Sequence, residues 1–217
     1  MSTQLLARAH ELLGVDFTQG YGMTEASGNA VFLGVDDHRR GLAGDYAILR
    51  AAGRPAPGIE MRLGYDNEIE LKAPQVMLGY LNDEAATEQA LRDGWLRTGD
   101  IGRIEDGLLY VVDRAKDIII TGGENVSSLE VENALMAHPS VSQVAVIGVS
   151  DEKWGEKVCA VVVLHAPATD EDLKGFVRQS LAGFKVPKEI FRVENLPTNA
   201  AGKIMKSELR SIYVGKI

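Results

Sequence analysis

The 217 residues carry 23 Lys and Arg against 31 Asp and Glu, a net charge of -8, which argues against nucleic acid or an anionic membrane as the main partner. At 45% hydrophobic and 25% charged, the chain can bury a sizeable core and stay in solution, as one large domain or two small ones. The stretch MSTQLLARAHELLG is too polar for a signal peptide, no apolar run reaches membrane-spanning length, and the single cysteine, Cys159, cannot form an internal disulfide. A reducing, cytoplasmic setting is therefore expected, with Cys159 as a small core residue of a buried strand, KVCAVVVL.

In chain order, Leu5 to Leu13 reads as a short helix stopped by Gly14. IEMRLG and NEIELKAP alternate apolar and polar residues and read as paired strands joined by the turn GYDN. Asn82 and Asp83 can cap a helix running to about Leu91, and GLLYVVD is a strand. Ser127 and Glu130 have capping-box spacing ahead of the helical stripe Val131, Ala134 and Leu135. VSQVAVIGV and KVCAVVVL are strands, and Thr169 opens a helix with Leu173, Phe176, Val177 and Leu181 on one face. KEIFRV is a last strand and SELRSIY a last helical turn or two. The charge cluster Asp113, Arg114, Lys116, Asp117 marks the expected domain boundary. Beyond it lies a compact α+β unit of about a hundred residues, a common domain size. The part before it has few helices and many glycines, like the end of something larger.

Four stretches exceed what a core requires: QGYGMTEASG, GWLRTGD, DRAKDIIITGGENV and PTNAAGKIMK. Singly, each has a plain structural explanation. The glycines are turns, Asp100 is a turn residue, Arg114 and Lys116 are a solvated strand end, and Lys203 is a surface lysine. The four histidines, His10, His38, His138 and His165, have no metal-ligand spacing and read as surface or helix-end residues.

Taken together and in this order, the four stretches resemble the later motifs of the adenylate-forming (AMP-binding) superfamily. GGENV, EVENAL, HPSV and FKVPK are similar to its acyl-CoA synthetase branch. The likeness covers nearly the whole chain, and four ordered motifs are far more specific than any one. It implies an α+β fold in three parts. Residues 1–113 would be the C-terminal remnant of the large AMP-binding domain, a small β-rich subdomain. Residues 114–117 would be a hinge, and 118–217 a compact mobile lid domain. It also implies a gap, because the Ser/Thr/Gly-rich phosphate loop and most of the acyl pocket of such enzymes lie upstream of YGMTE. The chain alone is therefore expected not to adenylate an acid.

The resemblance further implies that a carboxylic acid attacks the α-phosphate of ATP to give an acyl-adenylate with loss of pyrophosphate, and that the acyl group then passes to the thiol of coenzyme A with release of AMP. The weak lean is to a fatty acid. Lys203 would reach the carboxylate and α-phosphate. Thr24 would donate to that phosphate, and Glu25 would help hold Mg²⁺. Asp100, a double acceptor, suits the ribose diol, with Arg114 beside it. Gly20, Tyr21 and Gly22 would wall the adenine. Lys116 would be the pivot, a polar residue able to stay solvated while its torsions change. Gly122, Gly123 and Glu124 would leave a channel for the slim arm of coenzyme A, and Trp154 lies in a loop similar to one near that face. The turn before NEIELKAP departs from the family, with Asn67-Glu68 in place of Gly-Glu. Completion by a separate N-terminal chain is one expectation. The alternative is a non-catalytic remnant that binds nucleotide or coenzyme A, or a module that forms a homodimer.

Overall fold

The computed structural model describes residues 3–213. The chain divides between Ala115 and Lys116 into two compact units.

In the first unit, α1 (Thr3–Leu13) ends where Gly14, at φ 62°, turns its N–H back to the His10 carbonyl. β1 (Gln19–Met23), β2 (Gly28–Leu33) and β3 (Arg54–Pro55) form one antiparallel sheet. Between β2 and β3 runs α2 (Val35–Leu42), with Asp36 and Asp37 in its first turn and Arg39 and Arg40 in its last, matching the helix dipole. β4 (Glu60–Leu63) and β5 (Glu68–Lys72) make the expected hairpin, its turn holding Asp66 and Asn67 at positive φ. Asp83 caps α3 (Glu84–Ala90) by accepting from the Ala86 N–H, also as expected. β6 (Leu91–Arg92), β7 (Trp95–Glu105) and β8 (Leu108–Arg114) follow. β7 is the centre of this second sheet, pairing with β5, β6 and β8.

The fully buried Val31, Ile69, Leu71, Leu96 and Leu109 join the two sheets in one core. Each contributes about 2–3 kcal/mol of apolar burial, which fixes the strands that carry the polar residues described below.

In the second unit, β9 (Ile119–Thr121) and β10 (Glu124–Val126) form a hairpin. α4 (Ser128–Met136) starts at Ser127, whose hydroxyl accepts from the Glu130 N–H at 3.1 Å. β11 (Val141–Asp151) and β12 (Gly155–Leu164) pair along almost their whole length. α5 (Asp170–Arg178) opens with a full capping box between Thr169 and Asp172. It leads to β13 (Glu189–Arg192), parallel to β12, and α6 (Lys206–Tyr213) closes the unit. One face of the β11–β12 pair, with Val144, Val146, Val158 and Val162, packs on Val131 and Leu135 of α4 and Leu173 and Val177 of α5. The opposite face, with Ile147, Val149, Cys159 and Val161, packs on Leu209 and Tyr213 of α6.

Several expectations need correction. QGYGM and WLRTGD lie in strands, β1 and β7, where turns were the plain explanation. β2 and α2 were not expected at all. His38 is buried at 2% exposure, not on the surface, with its Nδ1 on the Gly34 carbonyl at 2.8 Å.

Candidate functional site

Tyr21 from β1, Asp100 from β7 and Arg114 from the end of β8 meet at the edge of the first unit's core. The Tyr21 hydroxyl donates to Oδ2 of Asp100 at 2.7 Å, and Nε of Arg114 lies 3.5 Å from Oδ1. Asp100 and Arg114 are direct partners across the β7–β8 ladder. Burial, ahead of the neighbouring charge of Asp100, drives the Tyr21 hydroxyl well above its ordinary pKa, so it stays a donor. Arg114 is held from below, its N–H donating to Oδ1 of the buried Asp113 at 2.8 Å. Asp100 keeps a half-buried carboxylate facing a hydroxyl and a guanidinium, a pattern that accepts from vicinal hydroxyls.

Gly20 and Gly22 flank Tyr21, and their lack of Cβ serves the chain itself. A Cβ at Gly22 would lie 1.9 Å from the Gly28 carbonyl oxygen, and one at Gly20 would collide with the Asn29 side chain. Close approach here is to β2, at the bulge between Tyr21 and Gly22.

Thr24 and Glu25 sit in the helical turn just after β1, Thr24 exposed and Glu25 half-buried. Oε1 of Glu25 accepts the Tyr80 hydroxyl at 2.7 Å. Among the described residues no group of three or more His, Cys, Asp or Glu could hold a metal ion. Glu25 thus fits Mg²⁺ only in the way a single carboxylate does, with the remaining ligands coming from water and substrate phosphates.

In the second unit, Gly122 and Gly123 are the two-residue turn of the β9–β10 hairpin, at φ 61° and 84°. Positive φ at both central positions suits the twist of a tight hairpin and favours glycine. The Gly122 N–H donates to the Trp154 carbonyl at 2.8 Å. A Cβ on Gly122 would come within 3.0 Å of the indole, which Lys153 covers from 4.7 Å. Glu124 and the half-exposed Trp154 therefore border one bare-backbone loop.

Lys203 is exposed on the loop before α6. Asn199 shapes that loop: its Oδ1 accepts from the N–H groups of Ala201 (3.0 Å) and Lys203 (2.9 Å), and its own N–H donates to the Lys203 carbonyl. Lys206 anchors the far end, with Nζ 2.7 Å from both Glu132 Oε1 and Ser128 Oγ. Lys116 is exposed, and its carbonyl accepts from Arg210 of α6 at 3.3 Å.

Tyr80, Asn199 and Arg210 went unnoticed in the sequence, and Asp113 was read only as part of the boundary charge cluster, without its bond to the Arg114 N–H. Tyr80 and Arg210 act across long sequence separations that no local pattern marks. Asn199 and the local bond of Asp113 could have been found, since Asn and Asp favour local bonds to backbone N–H groups in turns and strand ends.

Residues 130–203 match the family described as AMP-binding enzyme C-terminal domain. Over 211 residues the chain is 38% identical to a 2-succinylbenzoate–CoA ligase of Bacillus cereus, covering 92% of this chain and 42% of that protein. The o-succinylbenzoate CoA synthetase (MenE) of Bacillus subtilis, solved with its acyl-adenylate intermediate OSB-AMP, aligns with a TM-score of 0.87 at 36% identity, over 99% of this chain and 45% of that one. The amide bond synthetase McbA of Marinactinospora thermotolerans aligns at 0.86 and 37% identity, over 98% and 45%. The chain thus spans less than half the length of these relatives. Their names speak of succinylbenzoate and amide synthesis, and the lean to a fatty acid gains no support from them. Among the described residues no helix is long and apolar enough to cross a membrane. With its ordered motifs, its fold and these relatives in agreement, the chain carries an AMP-binding enzyme C-terminal domain and matches the C-terminal portion of adenylate-forming acyl-CoA ligases.

Proposed function

We propose that the chain serves as the C-terminal portion of an AMP-forming acid–CoA ligase, in which Asp100 and Arg114 take the ribose hydroxyls and Tyr21 lines the adenine. The observation that carries this reading is the Tyr21–Asp100–Arg114 cluster, a carboxylate poised between a donor hydroxyl and a cation. Thr24 and Glu25 follow Tyr21 within one turn, which suits the α-phosphate and the Mg²⁺ that a nucleotide brings with it. That ion would help neutralise phosphate charge. Lys203 supplies an ammonium for the acid carboxylate and the α-phosphate, an attraction of about 4 kcal/mol at 4 Å in a near-surface dielectric. The Gly122-Gly123 turn and Glu124 suit the narrow arm of coenzyme A, and Lys116 suits a pivot. The relatives' names make 2-succinylbenzoate the first acid to try.

The test is a graft of this chain in place of the corresponding portion of the Bacillus subtilis synthetase. Acid-dependent pyrophosphate release is expected, with Asp100→Ala and Lys203→Ala each losing most of it. A graft whose rate ignores both substitutions would overturn the reading.

A second reading, a module that docks on another polypeptide, is favoured by Leu78 and Leu81, which are 101% and 91% exposed. Sedimentation of the chain separates the two: a concentration-dependent dimer supports docking, and a monomer at all concentrations counts against self-association.

A further inference from the structure

β7 does not run evenly past β5. From Glu68 to Glu70, β5 advances two residues, while the partner positions on β7 move four, from Ile101 back to Arg97. Thr98, Gly99 and Asp100 therefore stand opposite the single residue Ile69. Bulges of this kind bend a strand and re-aim a side chain, and they leave backbone groups without ladder partners. Here side chains take over. Oε1 of Glu68 accepts the Gly99 N–H at 2.9 Å. Thr98 Oγ1 donates to the Ile69 carbonyl at 2.8 Å and accepts the Asp100 N–H at 3.1 Å. Gly99 sits at φ 73°, a conformation that a residue with a side chain rarely adopts.

Glu68 is 8% exposed, and its second oxygen accepts from Nε and Nη2 of Arg97 at 2.8 and 2.6 Å. The guanidinium offsets the burial of the carboxylate, leaving Oε1 for the bulge. A strand position that ordinarily needs only a backbone partner thus carries a buried carboxylate paired with a partly exposed guanidinium, and its other oxygen ends one residue from Asp100.

We infer that Glu68 is a positioning residue for Asp100: its carboxylate stands in for the missing strand partner of Gly99 and so sets where the Asp100 carboxylate points. The inference rests on the reading that Asp100 takes the ribose hydroxyls of a nucleotide. It separates two tasks between two acids, Glu68 shaping the backbone and Asp100 meeting the ligand.

The experiment compares AMP with 2′,3′-dideoxy-AMP, binding each to the full chain and following the titration by NMR. Wild type is expected to prefer AMP by about tenfold, the worth of one charge-assisted hydrogen bond. Asp100→Ala should abolish that preference. Glu68→Ala should abolish it as well while leaving the affinity for the dideoxy ligand unchanged, a pattern that general loosening would not produce. Glu68→Gln keeps an acceptor for Gly99 and should restore most of the preference. Should Glu68→Ala not fold, Glu68→Asp, which keeps the charge but withdraws the acceptor, carries the same expectation. A second readout needs no ligand: the Gly99 amide should exchange with solvent at least about tenfold faster in the Ala variant. A Glu68→Ala protein that keeps the wild-type preference, or the wild-type Gly99 exchange, overturns the inference and spares the ribose reading. A wild type that does not distinguish the two nucleotides overturns the ribose reading, and the inference falls with it.

Discussion

Arg210 of the last helix donates to the Asp117 carboxylate at 2.6 Å and to the Lys116 carbonyl at 3.3 Å, so residues 93 and 94 positions apart tie the start of the second unit to its last helix. Asp117 is 7% exposed, and its ion-pair partner is also largely covered. Removing one member of such a pair strands the other charge. Arg210→Met should lower the stability of the chain by about 3 kcal/mol, read as a shift in the denaturant midpoint with an unchanged slope. A shift no larger than that of an exposed arginine, such as Arg39→Met, would show that the pair is dispensable.

Lys203 should matter to one half-reaction alone. In the grafted enzyme, Lys203→Ala is expected to slow adenylation about 10²–10³-fold, the cost of losing one preorganised charge donor. Thioester formation from preformed acyl-AMP should proceed near the parental rate. Single-turnover measurement of each step decides it, and an equal loss in both would make the lysine structural.

Lys116→Pro tests the pivot. Proline fixes φ near -65° and removes a donor, while Lys116→Ala removes the charge and leaves the torsion free. If the second unit turns about this residue, the Pro variant should keep adenylation, lose thioester formation or show the reverse, and the Ala variant should keep both. A Pro variant that slows both steps alike, or neither, would make Lys116 an ordinary exposed lysine.

Cys159 should be chemically silent. Its side chain is fully covered, and burial, ahead of the charge of Glu189, pushes the thiol up to about 12. A disulfide reagent at pH 8 should leave the native chain unlabelled and react at once after unfolding in guanidinium. Rapid labelling of the native protein would place the thiol at the surface.

The second unit was nearly all legible in the sequence because its signals are local. Thr169 and Asp172 form a capping box three residues apart, and the valine runs of β11 and β12 are long enough to name a buried pair. The first unit was read less well for a physical reason. Its strands β1 and β7 are interrupted by glycines, and those glycines answer to atoms on the strands beside them. Gly22 makes room for the Gly28 carbonyl, and Gly102 makes room for Ile69 and Leu109. Such residues look like turns until the partner strand is known. Candidate site residues could be picked out by their motif order, but the bulge that presents Asp100 could not. It depends on Glu68, 32 positions upstream, filling a gap in a ladder that the sequence does not display.

The two apolar cores of the second unit lie on opposite faces of the same β11–β12 pair, so neither can slide without dragging the other. Mechanically the unit is a stiff plate clad on both sides. The Gly122-Gly123 turn is rooted in one cladding through Ile119 and Val126, and the Lys203 loop leaves the other at Leu196 and rejoins it at Leu209. A torque applied at Lys116 would therefore carry both through the same angle at a constant separation. If the second unit turns about Lys116 as proposed, Lys203 and the glycine turn would sweep matching arcs.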